Sequence, residues 1–87
     1  MWKTSEVSWR TFEGQSVVFH IPSADTHLLN PTAALVLQRL QSHPASTTAL
    51  AEELALANGL EPDRELLEYM ERLLTNLHEL SLIEPVT

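Results

Sequence analysis

Within residues 17–37, VVFHIPSADTHLLNPTAALVL, the hydrophobic period changes across a single dipeptide. Before Asn30 the chain reads as short β-branched and aromatic runs broken by Pro22-Ser23-Ala24-Asp25, a tight connection between strands. After it, apolar residues recur at helical spacing. Asn30-Pro31 is a strong helix start, because an Asn side chain accepts from free amides at the cap and Pro at the first helical position loses no bond. A chain that turns from sheet to helix once, at one place, can only build an α+β fold with its sheet at the N-terminal end.

Extending the reading outwards gives three strands and three helices. VSWRTF (residues 7–12), residues 16–21 and residues 26–29 are strands, with Glu13-Gly14-Gln15 as a turn holding a residue free to take positive φ. Two hairpins make a meander. If the four-residue connection closes with Ile21 opposite Thr26, then His20 faces His27, Phe19 faces Leu28 and Val18 faces Leu29. One face then carries Val17, Phe19, Ile21 and Leu28 and is expected to be the core face; the other carries Val18, His20, His27 and Leu29.

The first helix is predicted from Pro31 to Gln41, burying Ala33, Val36, Leu37 and Leu40 before His43-Pro44 ends it. The second opens at Ser46 or Thr47, buries Leu50, Ala51, Leu54 and Ala57, and stops at Asn58-Gly59. The third begins near Pro62, with Asp63 and Glu65 complementing its positive end, and reaches Leu80. Its stripe of Leu66, Met70, Leu73, Leu77 and Leu80 is widened by Leu67, Tyr69 and Leu74, more apolar surface than its length requires, which fits a central helix touched on several sides, an arc that partly borders a groove, or both. Leu82 and Ile83 lead into Pro85 as an extended tail against the sheet. The 87 residues form one domain, 1–87, of winged-helix-like α+β class: a three-stranded antiparallel N-terminal sheet packed on three α-helices.

Composition narrows the function. There is no Cys, hence no disulfide, thiolate metal site or Cys nucleophile. No Gly-rich phosphate loop or nucleophile elbow is present, and the carboxylates sit on the outward sides of helices, so no catalytic role and no cofactor are expected. His20 and His27 lack a third local ligand for a metal. Without a signal-like N-terminus or a span of apolar residues, a soluble cytoplasmic protein with no membrane partner is the expectation.

The formal net charge of −7 lies wholly beyond residue 44, where nine acids face Arg64 and Arg72. A helix-turn-helix cadence is present, but residues 61–79 hold six acids and two arginines where a recognition helix would need cations against phosphate, so no nucleic-acid partner is expected. That half of the chain would attract basic partners. The third strand of a meander is an edge, and THLL carries no charge, bulge or Pro within it as a guard, with only Asp25 and Pro31 standing at its two ends. Next to an over-apolar helix, such an edge suits an extended peptide: main-chain bonds give affinity and side-chain pockets give selectivity.

The residues Trp9-Arg10, VVFH, ADTHLLNPTAALVLQRL, a helix containing ELA and the terminal LHELSLIEPV together resemble the PqqD-like peptide chaperones, also called RiPP recognition elements. More narrowly, the chain is similar to PqqD relatives associated with HPr-kinase-related proteins. DTHLLNP before an apolar helix is the most specific part of a likeness covering nearly the whole chain. The resemblance implies a non-catalytic adaptor that binds the leader of a ribosomally made precursor peptide as an added strand and presents it to a modifying enzyme. It places Thr26, His27, Leu28 and Leu29 on the pairing edge, with Leu66, Tyr69, Met70 and Leu73 as the helix wall. The alternatives are a structural module that pairs through the same edge into a homodimer, and an atypical winged-helix DNA-binding regulator.

Overall fold

A computed structural model describes residues 1–13 and 15–86. Strands β1 (Trp2–Thr4), β2 (Val7–Phe12), β3 (Gln15–His20) and β4 (Asp25–Leu29) precede helices α1 (Pro31–Ser42), α2 (Thr47–Asn58) and α3 (Arg64–Glu79), and β5 (Ile83–Pro85) follows. The order β2-β3-β4 is the expected antiparallel meander, and with the three helices the fold is α+β, compatible with a winged-helix-like arrangement. The expected positive-φ glycine at position 14 lies outside the described residues; Glu13 beside it has φ 50°. No helix among the described residues is long and apolar enough to cross a membrane.

The chain ends depart from expectation. The C-terminal segment does not pair with the meander; β5 pairs antiparallel with β1, a strand too short to show any period, in a separate two-stranded ribbon. Backbone bonds fasten this ribbon to the connections around the helices: Trp2 N–H donates to Ala45 O (2.8 Å) and Ala45 N–H returns to Trp2 O (3.1 Å) between α1 and α2, and Ser5 N–H donates to Leu82 O (3.0 Å) after α3. The Trp2 indole N–H reaches Thr47 Oγ1 at 3.2 Å, and its ring lies 5.4 Å from that of His78.

The helices start and stop for local reasons. Asn30 Oδ1 accepts from Ala33 N–H, Ser46 Oγ from Ala49 N–H, and Asp63 Oδ1 from Leu66 N–H, each satisfying an amide with no partner inside its helix. Asp63 is therefore the cap of α3, and Pro62 precedes the helix. At the other ends, Gly59 (φ 65°) and Ser81 (φ 64°) are left-handed. The next amides fold back, Leu60 onto Ala55 O and Leu82 onto Leu77 O, as a Schellman turn requires.

The core joins Val18 and Leu29 of the sheet to Val36, Leu37 and Leu40 of α1, Leu50 and Ala51 of α2, Met70, Leu73, Leu74 and Leu77 of α3, and Leu82 and Ile83. On α2, Ala55 is buried where Ala57 was expected, and Leu54 is half-buried. On α3, Tyr69 and Leu80 are exposed and Leu66 and Leu67 half-buried.

Two expectations about the hairpin are corrected. The register places Val18 opposite His27, Phe19 opposite Thr26 and His20 opposite Asp25, so His20 and His27 do not face each other. The connection closes one residue earlier than expected because Ala24 N–H donates to His20 O (2.8 Å), with Ala24 at φ 61°, while Ile21 N–H is drawn to Glu6 O (3.0 Å). His20 Nδ1 lies 2.6 Å from Ser23 Oγ, bracing the turn. A shift of two leaves each side chain on its own face, but the buried face is the other one. Val18, His20 and Leu29 are inside, and Phe19, Ile21 and Leu28 are exposed. Leu29 precedes the α1 cap directly, so the helix folds back over the face Leu29 occupies, and Trp9 from β2 joins that face opposite Val18.

Candidate functional site

In the order β2-β3-β4, strand β4 has β3 on one side and no described strand on the other, so a row of its backbone groups is without a sheet partner. Thr26 and Leu28 point to the outer face and are exposed, Leu28 to 67%. His27 and Leu29 point inwards: His27 is half-buried and Leu29 belongs to the core. In register, the outer face runs Arg10, Val17, Leu28 in one row and Ser8, Phe19, Thr26 in the next; the inner face runs Trp9, Val18, His27 and then Thr11, Ser16, Leu29.

The four residues named on α3 divide. Leu66 and Tyr69 line a shallow depression of ≈ 300 Å³ with Leu60, Glu61, Asp63 and Glu65, at the acidic N-terminal end of the helix. Met70 and Leu73 are core residues, Met70 with no exposed surface, and they hold α3 in place rather than line that depression. Leu29 borders a second depression of ≈ 250 Å³ with Ser16, Pro31, Ala34, Leu35 and Gln38, where β4 runs into α1. The edge is thus flanked by α1 at its C-terminal end, a neighbour that helical periodicity in α3 did not suggest, whereas the depression at Leu66 and Tyr69 is lined by no residue of β4.

Two buried polar atoms have no hydrogen-bond partner among the described residues: Trp9 Nε1 and His27 Nε2. Both lie on the inner face in the row that Val18 centres. Neither had a sequence signal, because an alternating strand reports a side chain's face and not whether a partner awaits it there. The charge on α3 is worked mostly by solvent. Arg64 Nε meets Glu68 Oε1 at 3.3 Å on an exposed face, and Glu65, Glu71 and Glu79 form no ion pair among the described residues.

A family model described as coenzyme PQQ synthesis protein D (PqqD) matches residues 15–83, most of the chain and every element from β3 to α3. No curated protein matches the chain. Among solved structures, the chain is similar to a lasso peptide synthetase B1 complexed with the leader peptide, at 27% identity and a TM-score of 0.72, over 97% of this chain and 98% of that one.

Proposed function

The chain belongs to the PqqD family, and from that premise we propose that it is a peptide-binding adaptor of the RiPP recognition element type. It takes the leader of a ribosomally made precursor peptide as an added strand along β4 and presents it to a modifying enzyme. The observation that carries this is the edge of β4, which has no sheet partner among the described residues, in a fold shared, end to end, with a lasso peptide synthetase B1 that was solved with a leader peptide.

The proposed interface is Thr26, His27, Leu28 and Leu29 for pairing, with Leu66 and Tyr69 as the accessible part of the helix wall and Met70 and Leu73 as its rigid backing. Residues 1–87 act as one domain, without catalytic chemistry of their own, in the cytoplasm. The finer kinship is with the PqqD relatives associated with HPr-kinase-related proteins, on the strength of the DTHLLNP stretch. Two or three aliphatic anchors contribute roughly 1.5–3 kcal/mol each, against several kcal/mol for association and for ordering a flexible segment. The expected affinity is therefore on the order of micromolar.

Titration with a leader peptide, followed through the backbone amides, tests the proposal. Shifts concentrated in residues 26–29 and on one side of α3 are expected. Concentration-dependent shifts without peptide would instead make the edge a homodimer contact, and retention on duplex DNA at moderate salt would return the chain to the winged-helix regulators.

A further inference from the structure

His27 sits on the unpaired edge strand, points to the inner face, and buries its Nε2 with nothing among the described residues to bond it. Its row is completed by Val18, which has no exposed surface, and by Trp9 on the opposite edge of the sheet. A buried nitrogen without a partner costs the desolvation of that group and returns nothing, which is why such atoms are rare in native folds. An apolar residue here would remove the cost, and alternating strands accept Val or Leu readily. The imidazole is therefore out of place unless something arrives to bond it.

The incoming strand supplies the position. A chain paired to β4 lies about 4.8 Å away, and its inward side chain opposite His27 has its Cβ about 5 Å from that of His27. We propose that His27 is a specificity-determining residue for the bound peptide: it selects, at the inward position across from it, a side chain that hydrogen-bonds an imidazole nitrogen, namely Ser, Thr, Asn, Gln, Asp or Glu. Two residues further along the peptide, on the Leu29 side, the inward position meets core surface and takes an aliphatic residue. This rests on strand addition at β4, and it adds the chemical class of one ligand position to that reading.

The selectivity has a physical source on both sides. The nitrogen is shut off from water before any peptide arrives, so a peptide with Leu across from His27 leaves that defect in place, whereas one with a polar group that the imidazole turns to meet removes it. The polar peptide therefore gains a bond that the aliphatic one cannot make.

The test uses displayed libraries of random linear peptides, selected in parallel on the unmodified chain, on His27→Leu and on His27→Gln. The Gln amide can place a hydrogen-bonding group near the position of Nε2, and Leu cannot. Amide exchange on representative complexes reports whether residues 26–29 become protected. The expected result is protection at β4, with one peptide position enriched in the polar set for the unmodified chain and for His27→Gln, turning aliphatic for His27→Leu. Peptides from the first selection should bind His27→Leu about tenfold more weakly. His27→Leu should melt no lower than the unmodified chain, since it removes an unpaired buried group. Peptides that protect β4 but show the same preference on all three chains would overturn the role of His27 and leave strand addition standing. Peptides that leave β4 unprotected would overturn both.

Discussion

Gly59 and Ser81 occupy the same backbone conformation at the ends of α2 and α3, but only one of them is suited to it. A Cβ built on Gly59 meets nothing within 4 Å, so any cost of Gly59→Ala is conformational; about 1 kcal/mol of destabilisation is expected. Ser81 already carries that strain while its N–H holds His78 O at 2.9 Å. Ser81→Gly is expected to stabilise by roughly 0.5–1 kcal/mol, part of the relief being offset by the freer unfolded chain. Thermal or urea unfolding of the pair checks this: melting midpoints must move in opposite directions. These two positions also differ in legibility. Asn58-Gly59 announces a helix end, whereas Ser81 adopts its conformation because Leu82 and Ile83 must turn back into the core, which no local signal records.

At the scale of elements, the functional question is one strand. β4 has its inner residues locked in the core at Leu29 and its outer residues, Thr26 and Leu28, in solvent, so its free edge is held rigid from one side only. Leu28→Pro is expected to abolish peptide pairing, because Pro lacks an N–H and does not sit within a paired strand. Leu28 is exposed, so the change empties no core site, and far-UV circular dichroism should show the fold kept. Undiminished binding by a folded Leu28→Pro chain would remove β4 from the interface. Strands β2, β3 and β4 were legible from β-branched and aromatic runs, and the helices from apolar spacing and their end signals, whereas β1 was not. The register was not, since a four-residue connection can close at either of two neighbouring pairs, and bonds from Ala24 to His20 and from Ile21 to Glu6 decide between them.

For the whole molecule, charge is distributed by halves. The meander and α1 are nearly neutral, and α2, α3 and β5 carry the excess of −7. Glu68 and Glu71 stand exposed on α3 beside Arg72. If this field steers a basic peptide to the edge, Glu68→Lys or Glu71→Lys should slow association and flatten the salt dependence of binding for a Lys- or Arg-containing leader, with the melting temperature little changed. Unaltered affinity at low salt would end the steering argument. The same acidity weighs against a duplex partner for the helix-turn-helix cadence, whose exposed helix would meet phosphate with like charge.

By itself the sequence determined where sheet gives way to helix, the Asn30 cap that marks that point, and which strand would be left at an edge. Each of these is a property of a few neighbouring residues: a period, a side-chain acceptor, a missing N–H. Only the tertiary structure decided which face of the sheet turned inwards. Both faces are apolar, Val17, Phe19 and Leu28 on one and Val18, Trp9 and Leu29 on the other. Alternation therefore could not rank them, and the path of α1 over Leu29 did. That choice also buried the nitrogen of His27 with no partner among the described residues, and the pairing of β1 with β5 was likewise decided only by the tertiary structure, because contacts between segments distant in sequence exist only once the segments have packed.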